Sequence, residues 1–235
     1  MEPSIFLSIL GYEAELSELN GPVAGSRPLE LIRGLLGRLQ GVHLDVIRPP
    51  YSEKPRFTDR LVREVCQSLS GTEMEIHVMA PEPLKILSTV GDLCAQNPVP
   101  AASVHVEVFR GVEDAIGALR EIRGLGFEPG VVLDLATPTA TLHPDVVKEV
   151  GLIHVMSVPA GMGGQRFSPE AVEKIRLLRK AHGSKTIVVD GGINEETGRL
   201  SIDAGADRLV VGSRITGSGD PLEAIESLRR GLRRP

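Results

Sequence analysis

The chain has 235 residues, of which 41% are hydrophobic, 24% charged and 3% aromatic, and its net charge is −5. This composition is ordinary for a globular protein with an aliphatic core, and the acidic balance leaves no basic surface for binding nucleic acid. No apolar run reaches the roughly 18 residues of a membrane-spanning helix, and MEPSIFLSIL lacks the basic segment and cleavage site of a signal peptide. We therefore expect a cytoplasmic protein with neither a membrane nor a nucleic-acid partner.

Short apolar runs alternate with amphipathic segments along the chain, which predicts strands alternating with helices. The predicted strands are SIFLSIL (4–10), GVHLDVI (41–47), EMEIHVM (73–79), ASVHVEVF (102–109), PGVVLDLA (129–136), GLIHVMSV (151–158) and the runs that open TIVVDGGI (186–193) and RLVVGSRI (208–215). The predicted helices lie at 29–40, 58–69, 83–96, 112–126, 142–150, 168–182, 194–205 and 221–232.

Strand–helix alternation indicates a parallel sheet of the α/β class. Eight evenly spaced units in this length favour closure into a single (β/α)8 barrel, the TIM-barrel fold, over the alternative of an open, doubly wound sheet. No linker or change of composition divides the chain, so we expect one domain over residues 1–235. Cys66 and Cys94 fall in predicted helices and are interpreted as thiols without a chemical role.

The last two predicted strands end in small residues. Asp190 and Gly191-Gly192 end the seventh, and Gly212-Ser213 end the eighth. In such a barrel the chemistry occurs at the carboxyl ends of the strands. A carboxylate beside two glycine-bearing turns that lead into helices predicts a phosphate site with an acid next to it. Plain strand-to-helix turns would explain either glycine pair alone.

Two imidazoles and two carboxylates are predicted at the same end of the barrel. His43 and Asp45 are two apart and share one side of the second strand, His77 comes from the third strand, and Asp190 from the seventh. Four such groups in one barrel mouth would be costly to desolvate without a partner, and their nitrogen and oxygen donors suit Zn, Fe, Mn or Co. The sequence therefore predicts one divalent-metal site. Singly, each histidine could be a hydrogen-bonded core residue and each aspartate a strand-end cap.

The glycine-rich loop after the sixth strand and the remaining histidines also have predicted roles. GMGGQ (161–165) follows the sixth strand, and its unencumbered N–H groups suit phosphate oxygens, while its place at the barrel mouth suits a lid. A plain flexible loop is the alternative. The fourth strand places His105 and Glu107 on one face, where they can pair. The remaining histidines, His143, His154 and His182, are interpreted as structural or exposed.

The chain resembles the ribulose-phosphate 3-epimerase family over nearly its full length. The resemblance rests on the order of SIL (8–10), HLDV (43–46), HVM (77–79), ATP (136–138), MSVPAGMGGQRF (156–167), VDGGI (189–193) and VVGSRI (210–215). It implies a metal-dependent enzyme that inverts the carbon next to a ketose carbonyl, with D-ribulose 5-phosphate and D-xylulose 5-phosphate as the expected pair. It also implies a homo-oligomer, either a dimer or a hexamer.

The resemblance also implies a role for each matching residue. His43, Asp45, His77 and Asp190 would bind the metal, and Asp45 and Asp190 would be the acid/base pair on opposite faces of the sugar. Inversion removes a proton from one face and returns one to the other, while a cation beside the ketone oxygen stabilises the enediolate. The residues expected to line the reaction site or bind the substrate and its phosphate are Ser8, His77, Met79, Met156, Gly161, Met162, Gly163, Gly164, Gly191, Gly192, Gly212 and Ser213.

The chain departs from the family pattern in two loop segments near the site, which follow the first and the second predicted strand, and at two positions of the lid. Ile47 and Arg48 stand where the family has a methionine and an acidic residue, and the segment between Ser8 and His43 is about ten residues longer than expected, in a loop class that tolerates insertion. In the lid, Ala160 replaces a proline and Met162 a bulky aromatic residue. Because these changes can alter which sugar is accepted, an epimerase of another ketose phosphate, such as a six-carbon one, is an alternative.

Two further alternatives have a different chemistry. A catalytically silent relative could bind sugar phosphates, which Arg48 near the site favours and the intact Asp45 and Asp190 disfavour. A barrel of related architecture could instead catalyse decarboxylation or aldol chemistry. The Asp-x-Lys-x-x-Asp pattern of the decarboxylase relatives is absent, because the second strand continues from Asp45 as Val-Ile-Arg.

Overall fold

The computed structural model describes residues 3–94 and 100–233. Its centre is a closed barrel of eight parallel strands that follow one another in chain order. The last strand pairs with the first, so the predicted (β/α)8 TIM barrel is confirmed and the open sheet is wrong. The strands are β1 (Ser4–Ser8), β2 (Gly41–Ile47), β3 (Glu73–Met79), β4 (Ala101–His105), β5 (Glu128–Leu133), β6 (Leu152–Met156), β7 (Thr186–Asp190) and β8 (Arg208–Val211).

Helices connect the strands on the outside of the barrel. Among the described residues they are α1 (Glu13–Ser17), α2 (Arg27–Leu36), α3 (Asp59–Ser68), α4 (Pro83–Cys94), α5 (Val112–Gly124), α6 (Pro144–Lys148), α7 (Glu170–Ala181), α8 (Glu195–Ala204), α9 (Ser213–Thr216) and α10 (Pro221–Leu232). The last two residues of the predicted helix 83–96 lie outside the described residues. None of the described helices has the length and apolar character needed to cross a bilayer.

Several predicted strands extend too far at their carboxyl ends. The strands β1, β4, β5 and β6 end at 8, 105, 133 and 156 rather than at 10, 109, 136 and 158. The apolar pattern continues beyond each end because the loops also pack against the barrel; Ile9 and Val158, for example, are buried although neither lies in a strand. The strand therefore ends earlier than its hydrophobic pattern.

Successive side chains of each strand point alternately into the core between the strands and the helices and into the inside of the barrel. In β2, the side chains of Val42, Leu44 and Val46 belong to the large hydrophobic core between the strands and the helices. His43 and Asp45 have the opposite parity and are buried inside the barrel. The same alternation repeats in the neighbouring strands, so polar side chains from several strands meet at the barrel axis.

Glu195 joins the last three helices. Its carboxylate accepts hydrogen bonds from Arg214 Nε at 3.0 Å and Nη2 at 2.5 Å, and from Ser227 Oγ at 2.8 Å. The hydrogen bonds from Arg214 are the main reason that the pKa of Glu195 is lowered to about 2.

Replacing this carboxylate should weaken the packing of the last three helices. We expect Glu195→Gln to reduce the free energy of unfolding by about 1 kcal/mol at neutral pH, a modest value because the pair is partly exposed. A depressed folded-state pKa stabilises the fold above the ordinary value of 4.5 and loses that effect as the pH falls towards 2. Denaturant titrations of both proteins across this range should therefore converge at low pH, and a constant difference would contradict the assignment.

Candidate active site

A pocket of about 480 Å³ opens at the carboxyl ends of the strands. It gathers nearly all of the residues that the sequence places at the site, although they come from six different strands and the loops that follow them. His43 and His77 do not line its surface but are fully buried. The predicted residues in its wall are Ser8, Asp45, Met79, Met156, Gly161, Met162, Gly163, Gly164, Asp190, Gly191, Gly192, Gly212 and Ser213.

The floor of the pocket is a cluster of imidazoles and carboxylates. The pairing of β2 with β3 sets Asp45 directly beside His77, and Asp45 Oδ1 lies 3.1 Å from His43 Nε2 and 3.3 Å from His77 Nδ1. From β7, Asp190 Oδ2 lies 3.7 Å from the same nitrogen of His43 and 3.9 Å from that of His77. Two imidazole nitrogens and two carboxylate oxygens thus face one small volume.

The spacing of these four atoms fits a bound divalent cation. Ligands about 2.1 Å from a tetrahedral zinc-type ion are about 3.4 Å from one another, and the four nitrogen-to-oxygen distances here run from 3.1 to 3.9 Å. His77 Nδ1 is buried without a hydrogen-bond partner among the described residues. A cation would satisfy this nitrogen and both carboxylates together.

A third imidazole, that of His154, enters the same cluster from β6. One ligating atom from each of His43, His77, His154 and Asp190 lies within 4.8 Å of all the others, a group that does not include Asp45. His154 is fully buried, so the interpretation as structural or exposed missed its place in the cluster. The available signal was its position two residues before Met156, which gives both side chains the same inward direction.

Glu75 lies beneath the cluster and is fully buried. Its Oε1 accepts a hydrogen bond from Ser103 Oγ at 2.6 Å and lies 3.1 Å from His154 Nδ1, while Oε2 lies 3.2 Å from Arg208 Nη1. Burial alone would raise the pKa of Glu75, but the imidazoles of His154 and His43 hold it well below its usual value. The carboxylate therefore remains ionised inside the barrel.

Burial and neighbouring charges also shift the pKa values of the groups in the pocket floor. Burial would lower the pKa of His43, yet Asp45 and Glu75 raise it well above its ordinary value. The pKa of Asp45 is lowered. Burial alone would raise it, but His43 and His77 outweigh that effect. Burial lowers the pKa of His77 to about 3, so this imidazole is neutral and able to offer a lone pair to a metal.

Ser8 and His105 each lie within hydrogen-bonding distance of a side chain of the pocket floor. Ser8 Oγ donates to Asp45 Oδ2 at 2.8 Å, which fixes the carboxylate that also faces the imidazoles. His105 Nε2 lies 3.0 Å from His77 Nε2, and His105 Nδ1 lies 3.2 Å from Glu107 Oε2. The predicted His105–Glu107 pair is therefore present, although Glu107 lies in a turn after β4 rather than in the strand.

The glycines after β7 are required by the packing of the backbone. Gly191 and Gly192 have φ angles of 113° and 59°, a region that other residues rarely adopt. A Cβ at Gly191 would collide with Val158, and one at Gly192 with the backbone of Phe167. These glycines bring the turn after Asp190 against the residues that flank the lid on both sides.

The lid segment contacts the loops of the first two strands. A Cβ at Gly161 would collide with the carbonyl of Tyr51, and one at Gly163 would lie 3.5 Å from Leu10. Gln165 Nε2 donates to the carbonyls of Pro159 at 2.8 Å and Met162 at 2.9 Å. Met162 itself is 69% exposed, so its side chain is open to solvent at the mouth.

The two segments that depart from the family pattern contact each other. Arg48 does not line the pocket, because its guanidinium donates to the carbonyls of Ile47, Arg56 and Phe57 and to Asp59. Arg56 lines the pocket instead and donates to Glu13 Oε2 at 3.0 Å. The sequence could not show which arginine enters, since the loop folds back so that Ile47 and Arg56 form a β-bridge.

Known proteins are similar to this chain in both sequence and fold. The model of the ribulose-phosphate 3-epimerase family matches residues 32–216. The chain is 35% identical over 161 residues to the cytoplasmic isoform of ribulose-phosphate 3-epimerase of Oryza sativa subsp. japonica, covering 68% of each. It is 34% identical over 196 residues to the ribulose-phosphate 3-epimerase of Mycobacterium bovis, covering 80% of each.

Solved structures with little sequence identity to this chain also have a similar fold. The orotidine 5'-monophosphate decarboxylase from Sulfolobus solfataricus matches with a TM-score of 0.65 at 15% identity, covering 98% of both chains. This likeness shows the shared barrel alone, whereas the sequence matches confirm the resemblance that the motifs indicated. The chain belongs to the ribulose-phosphate 3-epimerase family.

Proposed function

We propose that the protein is a metal-dependent epimerase that inverts C3 of a ketose phosphate, with D-ribulose 5-phosphate and D-xylulose 5-phosphate as its substrate pair. The observation that carries the proposal is the placement of Asp45 and Asp190. They belong to β2 and β7, which are not neighbours in the barrel. Both line the pocket and both face the nitrogens of His43 and His77.

The two carboxylates suit a proton transfer that inverts a carbon. One removes the proton of C3 from one face of the sugar, and the other returns a proton to the opposite face. Ser8 Oγ donates to Asp45 Oδ2, which keeps Asp45 directed at the pocket. The reverse reaction exchanges the two roles, so each carboxylate must act as acid in one direction and as base in the other.

His43, Asp45, His77 and Asp190 would hold the divalent cation, for which Zn, Fe, Mn and Co are the candidates. Such a cation supplies positive charge beside the ketone oxygen, where negative charge develops as C3 loses its proton. Met79 and Met156 lie buried in the pocket wall. Their thioethers can pack against the planar carbon skeleton without exchanging protons with it.

The phosphate of the substrate would lie at the glycine-bearing turns that follow β7 and β8. The turns at Gly191-Gly192 and Gly212-Ser213 present backbone N–H groups with little side-chain bulk, which suit phosphate oxygens. Gly161 to Gly164 line the same pocket and would cover the bound sugar. The occupant is accordingly a small phosphorylated sugar.

One observation favours a second candidate, an epimerase of a different ketose phosphate. Leu10, Gly11, Ser52 and Arg56 line the pocket and belong to the two segments that depart from the family pattern. The ion pair of Arg56 with Glu13 joins these segments, so they form one altered wall. Arg48, by contrast, is turned away, and its presence gives no support to a silent relative.

Proton exchange with solvent tests the proposal directly. Metal-loaded protein is incubated with D-ribulose 5-phosphate in deuterated water, and NMR follows deuterium incorporation at C3 and formation of D-xylulose 5-phosphate. Both are expected. A folded, metal-loaded protein that gives neither would refute the proposal, and exchange only with a six-carbon ketose phosphate would establish the second candidate.

A further inference from the structure

We propose that His154 is a third imidazole ligand of the cation and that Glu75 holds it in the ligating orientation. The inference rests on the metal site of the proposed function and adds a residue to it. His154 would then add a third nitrogen donor to those of His43 and His77, in the group that these three histidines form with Asp190.

The position of His154 is the first argument. Its ring is centred 4.7 Å from that of His77 and 5.4 Å from that of His43. Its Nε2 is buried without a hydrogen-bond partner among the described residues, and it lies 3.8 Å from Asp190 Oδ2. That separation is too long for a hydrogen bond but is an ordinary distance between two ligands of one ion.

The contact of the ring with Glu75 is the second argument. Glu75 Oε2 pairs with Arg208, and Glu75 Oε1 lies 3.1 Å from His154 Nδ1. A carboxylate only accepts hydrogen bonds, so Nδ1 carries a proton, and Nε2 is the nitrogen that faces the cluster and would bind the cation. Metal-binding histidines commonly donate their other N–H to a carboxylate in this way, which fixes both tautomer and orientation.

His105 provides the contrast within the same barrel. It is equally buried and stacks on His77, with ring centres 5.1 Å apart. Both of its nitrogens are engaged, Nδ1 near Glu107 and Nε2 near His77. His105 therefore has no nitrogen left for an ion, and its replacement is a matched control for the loss of a buried imidazole.

Proton NMR of the Co(II)-loaded protein can count the ligating histidines. Each imidazole bound to paramagnetic Co(II) gives one strongly shifted, exchangeable N–H signal. We expect three signals in the unaltered protein, two in His154→Leu and three in His105→Leu. Competition with a zinc chelator should show that His154→Leu binds Zn at least about 10- to 100-fold more weakly, because the loss of a direct ligand should cost no less than the loss of a partner that only orients one.

Two signals in the unaltered protein, with the same two retained in His154→Leu, would overturn the inference. If His154→Leu does not fold, as judged by circular dichroism, His154→Gln keeps a polar side chain beside Glu75 and should also give two signals. Failure of the protein to bind Co(II) would overturn the ligand role together with the metal site. Three signals in a protein that exchanges no C3 proton would leave His154 as a ligand and refute the proposed reaction alone.

Discussion

Replacing Asp45 or Asp190 by asparagine is expected to abolish epimerisation, with a loss of roughly a thousandfold in kcat, within the range for a lost general acid or base. The asparagine keeps an oxygen for a metal but cannot accept or return the proton. Steady-state kinetics with D-ribulose 5-phosphate would measure the loss, and metal analysis of each variant would show whether the site is still loaded. Retention of activity within about tenfold, roughly 1.4 kcal/mol of barrier, would contradict the assigned role.

The two variants should also differ from each other. Each retains the carboxylate on one face of the sugar, so each should still exchange the C3 proton of one epimer with solvent, and the two variants should prefer opposite epimers. Asp145→Asn is a suitable control, because Asp145 pairs with Lys148 on the exposed surface. Exchange of both epimers by one of the variants would mean that a single carboxylate serves both faces.

Removal of the cation is expected to produce the second large effect, on activity and stability together. The pocket floor holds the buried carboxylate of Asp45 and a buried nitrogen of His77 that has no hydrogen-bond partner in the part of the chain that the structure describes. A cation bound only by the folded chain would stabilise both. At a thousandfold excess over its Kd such a ligand contributes about 4 kcal/mol, so a chelator should lower Tm by roughly 10 °C in a chain of this length.

Activity should disappear with the same treatment and return on adding back the correct ion. Restoring Zn, Mn, Co or Fe(II) one at a time would rank them by recovered activity and by Tm. Chelator already saturated with calcium serves as the control for effects of the chelator itself. A protein whose Tm and activity both resist removal of its metal would contradict the proposed role of the cation.

The barrel was predictable because its signals are local and repeated. The bounds of β2 and β3 are those that the apolar pattern predicts, and the spacing of His43 and Asp45 places both inside the barrel. Asp190 and its glycines could be placed because Gly191 and Gly192 mark the end of a strand. The predicted metal and proton-transfer roles remain predictions, although the residues do meet in one pocket.

What the sequence could not show depends on contacts between distant segments. His154 becomes a candidate ligand only when the register of the strands brings β6 beside β7 and level with the floor, as in the pairing of Met156 with Asp190. In the sequence, Glu75 is only one polar residue in a strand. Its partner Arg208 is distant in the chain and lies beside it only in the folded barrel. Which of Arg48 and Arg56 faces the pocket is decided by the path of a single loop.

Arg208 bears on why the interior of the barrel suits a cation. Its guanidinium lies 3.9 Å from the centre of the Phe6 ring and pairs with Glu75 inside the barrel. It also pairs with Glu73 at 3.0 Å, so its single positive charge is shared between two carboxylates. An uncompensated charge in a buried site is costly. A cation at the pocket floor would supply the positive charge that Arg208, at the far end of the barrel, does not.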